Sequence, residues 1–136
     1  MTAANRNILI IGLDQDLRNA LTALLRAKVY TVHQVQTGEE GLAAIQREVF
    51  GAVLLEGTLS DIDGGEVLNI LVEENPMVPV IILTASVKVG SYKANEFMAR
   101  GAFGIVPMPL DQSGLLHVIG EAMRPRTQPW VRPLMP

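Results

Sequence analysis

The chain contains no cysteine. Disulfide bridges and thiolate metal centres are therefore excluded, and the composition fits a reducing cytoplasm. It also lacks a basic run: Lys and Arg are scattered and the net charge is -3. That removes the electrostatic basis for binding nucleic acid or an anionic membrane surface. No apolar stretch approaches the ~20 residues that a bilayer-spanning helix needs. Residues 1–7 have no apolar h-region of a secretory signal. The expectation is a soluble cytoplasmic protein. Aromatic residues are scarce at 4%, which counts against a flat cofactor that needs ring-on-ring cover.

What is present is aliphatic. Hydrophobic residues make up 49% of 136, enough for one domain with one good core. Asn7-Ile8-Leu9-Ile10-Ile11 reads as a strand buried on both faces and ended by Gly12. Asp14 is a plausible N-cap for a helix with Leu17, Leu21, Leu24 and Leu25 on its apolar stripe. Residues 29–35 alternate, with Val29, Thr31, His33 and Val35 on one face, and predict a half-buried strand at an edge. Thr37 and Glu40 form a capping box ahead of an apolar stripe of Leu42, Ile45 and Val49.

Ala52-Val53-Leu54-Leu55-Glu56 predicts a third strand, apolar until its terminal carboxylate. Asp63 and Glu66 make another cap-like pair before Val67, Leu68 and Leu71, with Asp61 a turn residue in the preceding loop. Val80-Ile81-Ile82-Leu83 is a fourth buried strand ending at Thr84. Residues 91–100 predict a helix stopped by Gly101, residues 103–106 a fifth strand cut off by Pro107 and Pro109, and Asp111 the cap of a last helix.

Five alternations of buried strand and amphipathic helix imply βαβ units, hence an α/β fold with helices on both faces of a parallel sheet. Right-handed crossovers leave few topologies, one of which, the doubly wound five-stranded sheet of order 2-1-3-4-5, is the expected architecture. The domain is expected to span residues 1–124. Residues 125–136 hold four of the eight prolines (Pro125, Pro129, Pro133 and Pro136) and read as a tail or linker. Trp130 within it belongs either to a frayed end or to a segment docked on the domain or a partner.

In an open parallel sheet, ligands meet the C-terminal strand ends. Here those ends carry Gly12-Leu13-Asp14, Glu56-Gly57-Thr58, Thr84-Ala85-Ser86 and Pro107-Met108-Pro109. With Ile8-Leu9-Ile10-Ile11, Leu54-Leu55-Glu56 followed by Asp63-Gly64, Val80-Ile81-Ile82-Leu83-Thr84-Ala85, and Gly101-Ala102 leading to Met108-Pro109, the chain resembles the receiver domain of bacterial two-component response regulators over residues 7–123. The resemblance implies histidine kinases and output domains as partners. In that family a strand-3 aspartate accepts a phosphoryl group, an acidic pair after strand 1 helps bind Mg²⁺, a strand-4 Thr or Ser bonds the phosphoryl oxygens, a strand-5 Lys before Pro pairs with them, and a strand-5 aromatic moves as a switch.

Set against that pattern, the acidic pair falls on Gly12 and Leu13, the acceptor position holds Glu56, the lysine position Met108 and the switch position Ile105; Thr84 and Pro109 are retained. Mg²⁺ wants hard oxygen ligands, which Gly12 and Leu13 lack in their side chains. Phosphoryl transfer depends on positioning and charge neutralisation, and both the metal ligands and the lysine are gone. Glu56 is longer than aspartate by about 1.5 Å, which misplaces an incoming phosphoryl group. The expected module is a degenerate, phosphorylation-independent receiver, not an enzyme, without cofactor or bound metal.

Individual residues admit two readings. Glu56 is either a tolerated strand-end carboxylate or a group that bonds Thr84 and holds an activated-like state, with Lys88 as a candidate compensating cation. Asp14 is a helix cap or a lone metal ligand, and Met108 fills space. His33 and His117 are structural or surface residues. The resemblance implies helix 4, strand 5 and helix 5 as the contact face, serving protein partners or a homodimer, with Phe103 and Ile105 adding apolar contact. The competing readings are an atypical receiver phosphorylated at Glu56 or a nearby acid, and a flavodoxin-like cofactor protein of the same topology.

Overall fold

The computed structural model describes residues 5–85 and 92–125. Lys88, Ser91 and the tail beyond Pro125, Trp130 included, lie outside the described residues. Five parallel strands, β1 (Asn7–Ile11), β2 (Thr31–Val35), β3 (Ala52–Glu56), β4 (Val80–Thr84) and β5 (Gly104–Pro107), form one sheet of order β2-β1-β3-β4-β5. They alternate with α1 (Gln15–Ala27), α2 (Gly38–Arg47), α3 (Gly64–Glu74), α4 (Tyr92–Ala99) and α5 (Gln112–Ala122). This is the predicted architecture.

Successive side chains point to opposite faces of a strand, so each inner strand feeds two cores. Leu9, Ile11, Val53, Leu55 and Ile82 pack with residues of α2, α3 and α4, such as Ile45, Leu68 and Phe97. Ile8, Ile10, Leu54, Ile81 and Leu83 pack with Leu21 and Leu25 of α1 and Leu115 and Ile119 of α5. All ten strand residues are fully buried. Double burial explains why these strands read as continuous apolar runs. At about 1.5–3 kcal/mol for each buried aliphatic side chain, the sheet is the main source of stability and the rigid base for the loops at its C-terminal edge.

Helix ends follow local chemistry. Asp14 accepts from Leu17 N at 2.9 Å and Asp111 from Gly114 N at 3.0 Å. Thr37 and Glu40 make the full capping box. At the end of α4, Gly101 (φ +105°) donates to Met98 O and Ala102 N reaches back to Phe97 O, a Schellman motif with glycine at its left-handed position.

Four expectations are corrected. The apolar stripe of α2 does not reach Val49, which lies past the end of the helix and is 74% exposed. The strand predicted over residues 29–35 begins only at Thr31, because Val29 is left-handed (φ +70°) and ends α1. Its N–H bonds Arg26 O and Tyr30 N bonds Leu25 O, another Schellman motif, hidden in the sequence because valine stands where glycine usually does. Val29 is therefore 75% exposed and takes no part in the strand. The fifth strand runs one residue later than predicted and includes Pro107, which an edge strand tolerates because one of its sides has no partner. Asp63 occupies the N-cap position of α3 but makes no side-chain capping bond. Its carboxylate lies over Gly65 beside the Arg100 guanidinium, and its backbone oxygen receives the amides of Glu66 and Val67.

Candidate functional site

The strand order reverses between β1 and β3, and the crevice at such a switch point is the ligand position of this architecture. β1 leads into Gly12 and Leu13; β3 ends in Glu56 beside them. Gly12 and Leu13 are both left-handed, at φ +89° and +71°. For leucine this costs about 1–2 kcal/mol, so the surroundings must hold it. Four groups do. The Leu13 side chain is 7% exposed and packs in the α1/α5 core. Leu13 N donates to Glu56 Oε1 at 2.9 Å. Arg18 Nη1 donates to Gly12 O at 3.2 Å and to Leu13 O. Gly12 N continues the sheet ladder by donating to Val35 O at 3.0 Å.

There is no room for a side chain at Gly12. A Cβ there would stand 2.6 Å from Leu59 Cδ2, 2.8 Å from Glu56 Oε1 and 2.9 Å from Glu56 Cβ. The space that an acidic side chain would take is filled by the Glu56 side chain and roofed by Leu59. The other expected positions surround it. Thr84 is buried and its carbonyl accepts from Met108 N at 2.9 Å. Met108 packs against the α1/α5 core, and the peptide bond to Pro109 is cis. Ile105 pairs with Ile82 across the sheet and is half-buried against the α2/α3/α4 core. Asp14 is exposed and occupied as a helix cap.

Three residues that the sequence reading assigned no part in the site belong to its frame. Arg18 is 8% exposed on a helix face that also buries Leu21, Thr22 and Leu25; a charge in that stripe reads as solvent-facing until the loop carbonyls it serves are known. Leu59 looks like a loop residue but folds over Gly12. Asp61, expected only to stabilise its own turn, accepts from Gly38 N at 2.9 Å and Glu39 N at 3.0 Å, capping α2 from the β3–α3 loop. Those two amides hold the Asp61 carboxyl below the usual carboxylate range. Glu40 is lowered too, chiefly by the Thr37 hydroxyl, then by the Thr37 and Gln36 amides, with a smaller effect of the Arg18 charge. His33 and Glu48 pair at 2.9 Å on the surface.

The response regulator receiver domain family matches residues 8–120, and the chain belongs to that family. It is 32% identical over 123 residues to the transcriptional regulatory protein ZraR of Escherichia coli K12, covering 90% of this chain and 27% of that protein. It is 28% identical over 112 residues to the response regulator protein FleR of Pseudomonas aeruginosa, covering 82% of this chain and 23% of that one. The chain thus spans about a quarter of the length of these relatives. Among solved structures, a CheY-like receiver domain protein from Methanospirillum hungatei superimposes with a TM-score of 0.81 at 26% identity, covering 88% of this chain and 94% of that one. Receiver domains are the signalling modules of two-component response regulators.

Receiver chemistry uses Mg²⁺, a hard ion that requires near-octahedral oxygen donors. The residues present do not fit it. Gly12 has neither a side chain nor space for one, Leu13 is turned into the core, and Glu56 Oε1 is bonded to a backbone amide. Asp14, the remaining acid of the loop, is bonded to Leu17 N. Among the described residues, no cluster of three or more His, Asp or Glu side chains is arranged to hold a metal. Met108, at the end of β5, carries a thioether, which offers Mg²⁺ no hard donor.

Proposed function

We propose that this chain is a phosphorylation-independent receiver-like regulatory module that acts through protein contacts. The observation that carries this reading is the closed β1–β3 crevice, in which Glu56 is bonded to Leu13 N and leaves no volume at Gly12. A carboxylate engaged in this way is not presented to a phosphoryl donor, and among the described residues no acidic cluster that could hold a charge-neutralising metal lies beside it. The face proposed for partners is α4–β5–α5. In support, Ile105, Val106, Pro107, Pro109 and Val118 line a largely apolar concavity of about 290 Å³ between β5 and α5. That face is also proposed for a homodimer. A histidine kinase and an output domain are the partner classes, and the cytoplasm is the proposed setting. Residues 1–124 are proposed as the module and residues 125–136 as the linker. No helix among the described residues is long and apolar enough to cross a membrane.

The test is thermal unfolding with and without Mg²⁺ and beryllofluoride, which mimics a phosphoryl group on an acceptor carboxylate, together with mass measurement after exposure to acetyl phosphate. A ligand at a hundred times its Kd stabilises by about 2.7 kcal/mol. The expected result is an unmoved transition and an unmodified chain. A stabilised transition or phosphoryl addition at Glu56 would replace this reading with that of an atypical active receiver.

A further inference from the structure

Arg18 is a buried cation whose counter-charge is not in contact with it. Its residue is 8% exposed, and among the described residues no carboxylate lies within ion-pairing distance. Glu40 feels its field but is exposed, and Glu40 Oε1 is taken up by Thr37 and the Gln36 amide. A guanidinium removed from water without compensation is strongly unfavourable. What Arg18 meets instead is the oxygen side of the β1–α1 loop, Gly12 O and Leu13 O. Gly12 O and Leu13 N are the two ends of one peptide group, and Leu13 N donates to Glu56 Oε1 at 2.9 Å.

We infer that Arg18 and Glu56 form an ion pair bridged by the Gly12–Leu13 peptide, and that Arg18 is thereby the residue that positions the left-handed loop at the crevice. A peptide group carries a dipole of about 3.5 D. Here its negative end faces the guanidinium and its positive end faces the carboxylate. Each charge strengthens the hydrogen bond made by the other, because bonds in series polarise one another in a low-dielectric setting. The bridge accounts for several features at once. Position 56 needs glutamate because an aspartate ends about 1.5 Å short. Position 12 needs glycine because a Cβ would strike the Glu56 side chain. Leu13 can hold φ +71° because both faces of its preceding peptide are anchored by charges. The loop is then ordered without a metal. This last point deepens the functional reading above and rests on it; the bridge itself does not.

The test is a double-mutant cycle on the full chain with Arg18→Met and Glu56→Gln, read by thermal unfolding and by amide and guanidinium resonances. Gln keeps an acceptor for Leu13 N and removes only the charge. Arg18→Met is expected to lower the Tm by about 6 °C in the parent and by less than half as much beside Glu56→Gln, a coupling of about tenfold in the unfolding constant. The Leu13 amide proton should move upfield in Arg18→Met, although Arg18 does not touch that N–H. If Arg18→Met does not fold, Glu56→Gln alone reads the bridge from its other end, by a shift of the Arg18 guanidinium N–H signals. Additive losses, or a Leu13 amide and Arg18 guanidinium each indifferent to the opposite charge, overturn the bridge. The outcomes separate from those of the functional reading: a protein stabilised by beryllofluoride that still shows the coupling loses the function proposed above and keeps the bridge, and the reverse pattern does the opposite.

Discussion

Gly12→Ala is the smallest perturbation that interrogates the closed crevice. Two costs add. The first is backbone: at φ +89° an L-residue is strained by about 1–2 kcal/mol. The second is space. The new methyl would stand 2.6 Å from Leu59 Cδ2 and 2.9 Å from Glu56 Cβ. The Leu59 tip can rotate away, but Glu56 Cβ is held by the β3 backbone, so relief requires the loop to move. Overpacking of this kind costs about 1–3 kcal/mol. The loss of chain entropy in the unfolded state on replacing glycine offsets about 0.4–1 kcal/mol. The net expectation is a destabilisation of about 3 kcal/mol, a large part of the 5–15 kcal/mol typical of a domain. For a chain of this length that corresponds to a Tm about 10 °C lower. The control is Gly120→Ala, in the exposed face of α5 with nothing within 4 Å of the new methyl, which is expected to stabilise by about 0.5–1 kcal/mol. Both are measured by calorimetry and urea unfolding with a common m-value. If Gly120→Ala behaves as expected and Gly12→Ala falls within about 0.5 kcal/mol of the parent, the crevice is open and the argument from Glu56 and Leu59 fails.

Two further predictions follow from other parts of the frame. Val29 holds φ +70° with an exposed side chain that packs little; Val29→Gly is expected to stabilise by about 1 kcal/mol, and an unchanged or lower urea midpoint would refute the strain. Asp61 and Glu40 are both held below the usual carboxylate range by hydrogen bonds to backbone amides and the Thr37 hydroxyl. Depressed folded-state values mean that their stabilisation is present above the unfolded carboxylate value of about 4 and is lost as pH falls through the lower folded values. Asp61→Asn should therefore flatten the fall in stability on acidification while leaving the slope above neutral pH unchanged. A pH–stability curve parallel to that of the parent throughout the acid range would remove Asp61 as the cap of α2.

The legible part of the site was its list of positions. Gly12, Leu13, Glu56, Thr84 and Met108 could be placed at strand ends because strand ends are marked by the close of an apolar run. The two readings offered for Glu56 did not include the one found at its Oε1, a bond to a backbone amide across the sheet, since partners 43 residues away leave no periodic trace. Arg18 carries no sequence signal for a related reason. Helical spacing identifies a buried stripe by its leucines, and the carbonyls that make an arginine acceptable within that stripe belong to another element.

By itself the sequence determined the alternation of strands and helices and the side-chain caps at Asp14, Thr37 and Asp111, because hydrophobic periodicity and side-chain bonds to neighbouring amides are local and repeat along the chain. It also placed Gly12, Leu13, Glu56 and Met108 at strand ends. Only the tertiary structure decided what surrounds them: that Leu13 turns inward, that Leu59 roofs Gly12, that Asp61 caps a distant helix, and that one peptide stands between Arg18 and Glu56. Those are contacts between elements that packing brings together, and their energies depend on distances of a few tenths of an ångström that no pattern of residue types encodes.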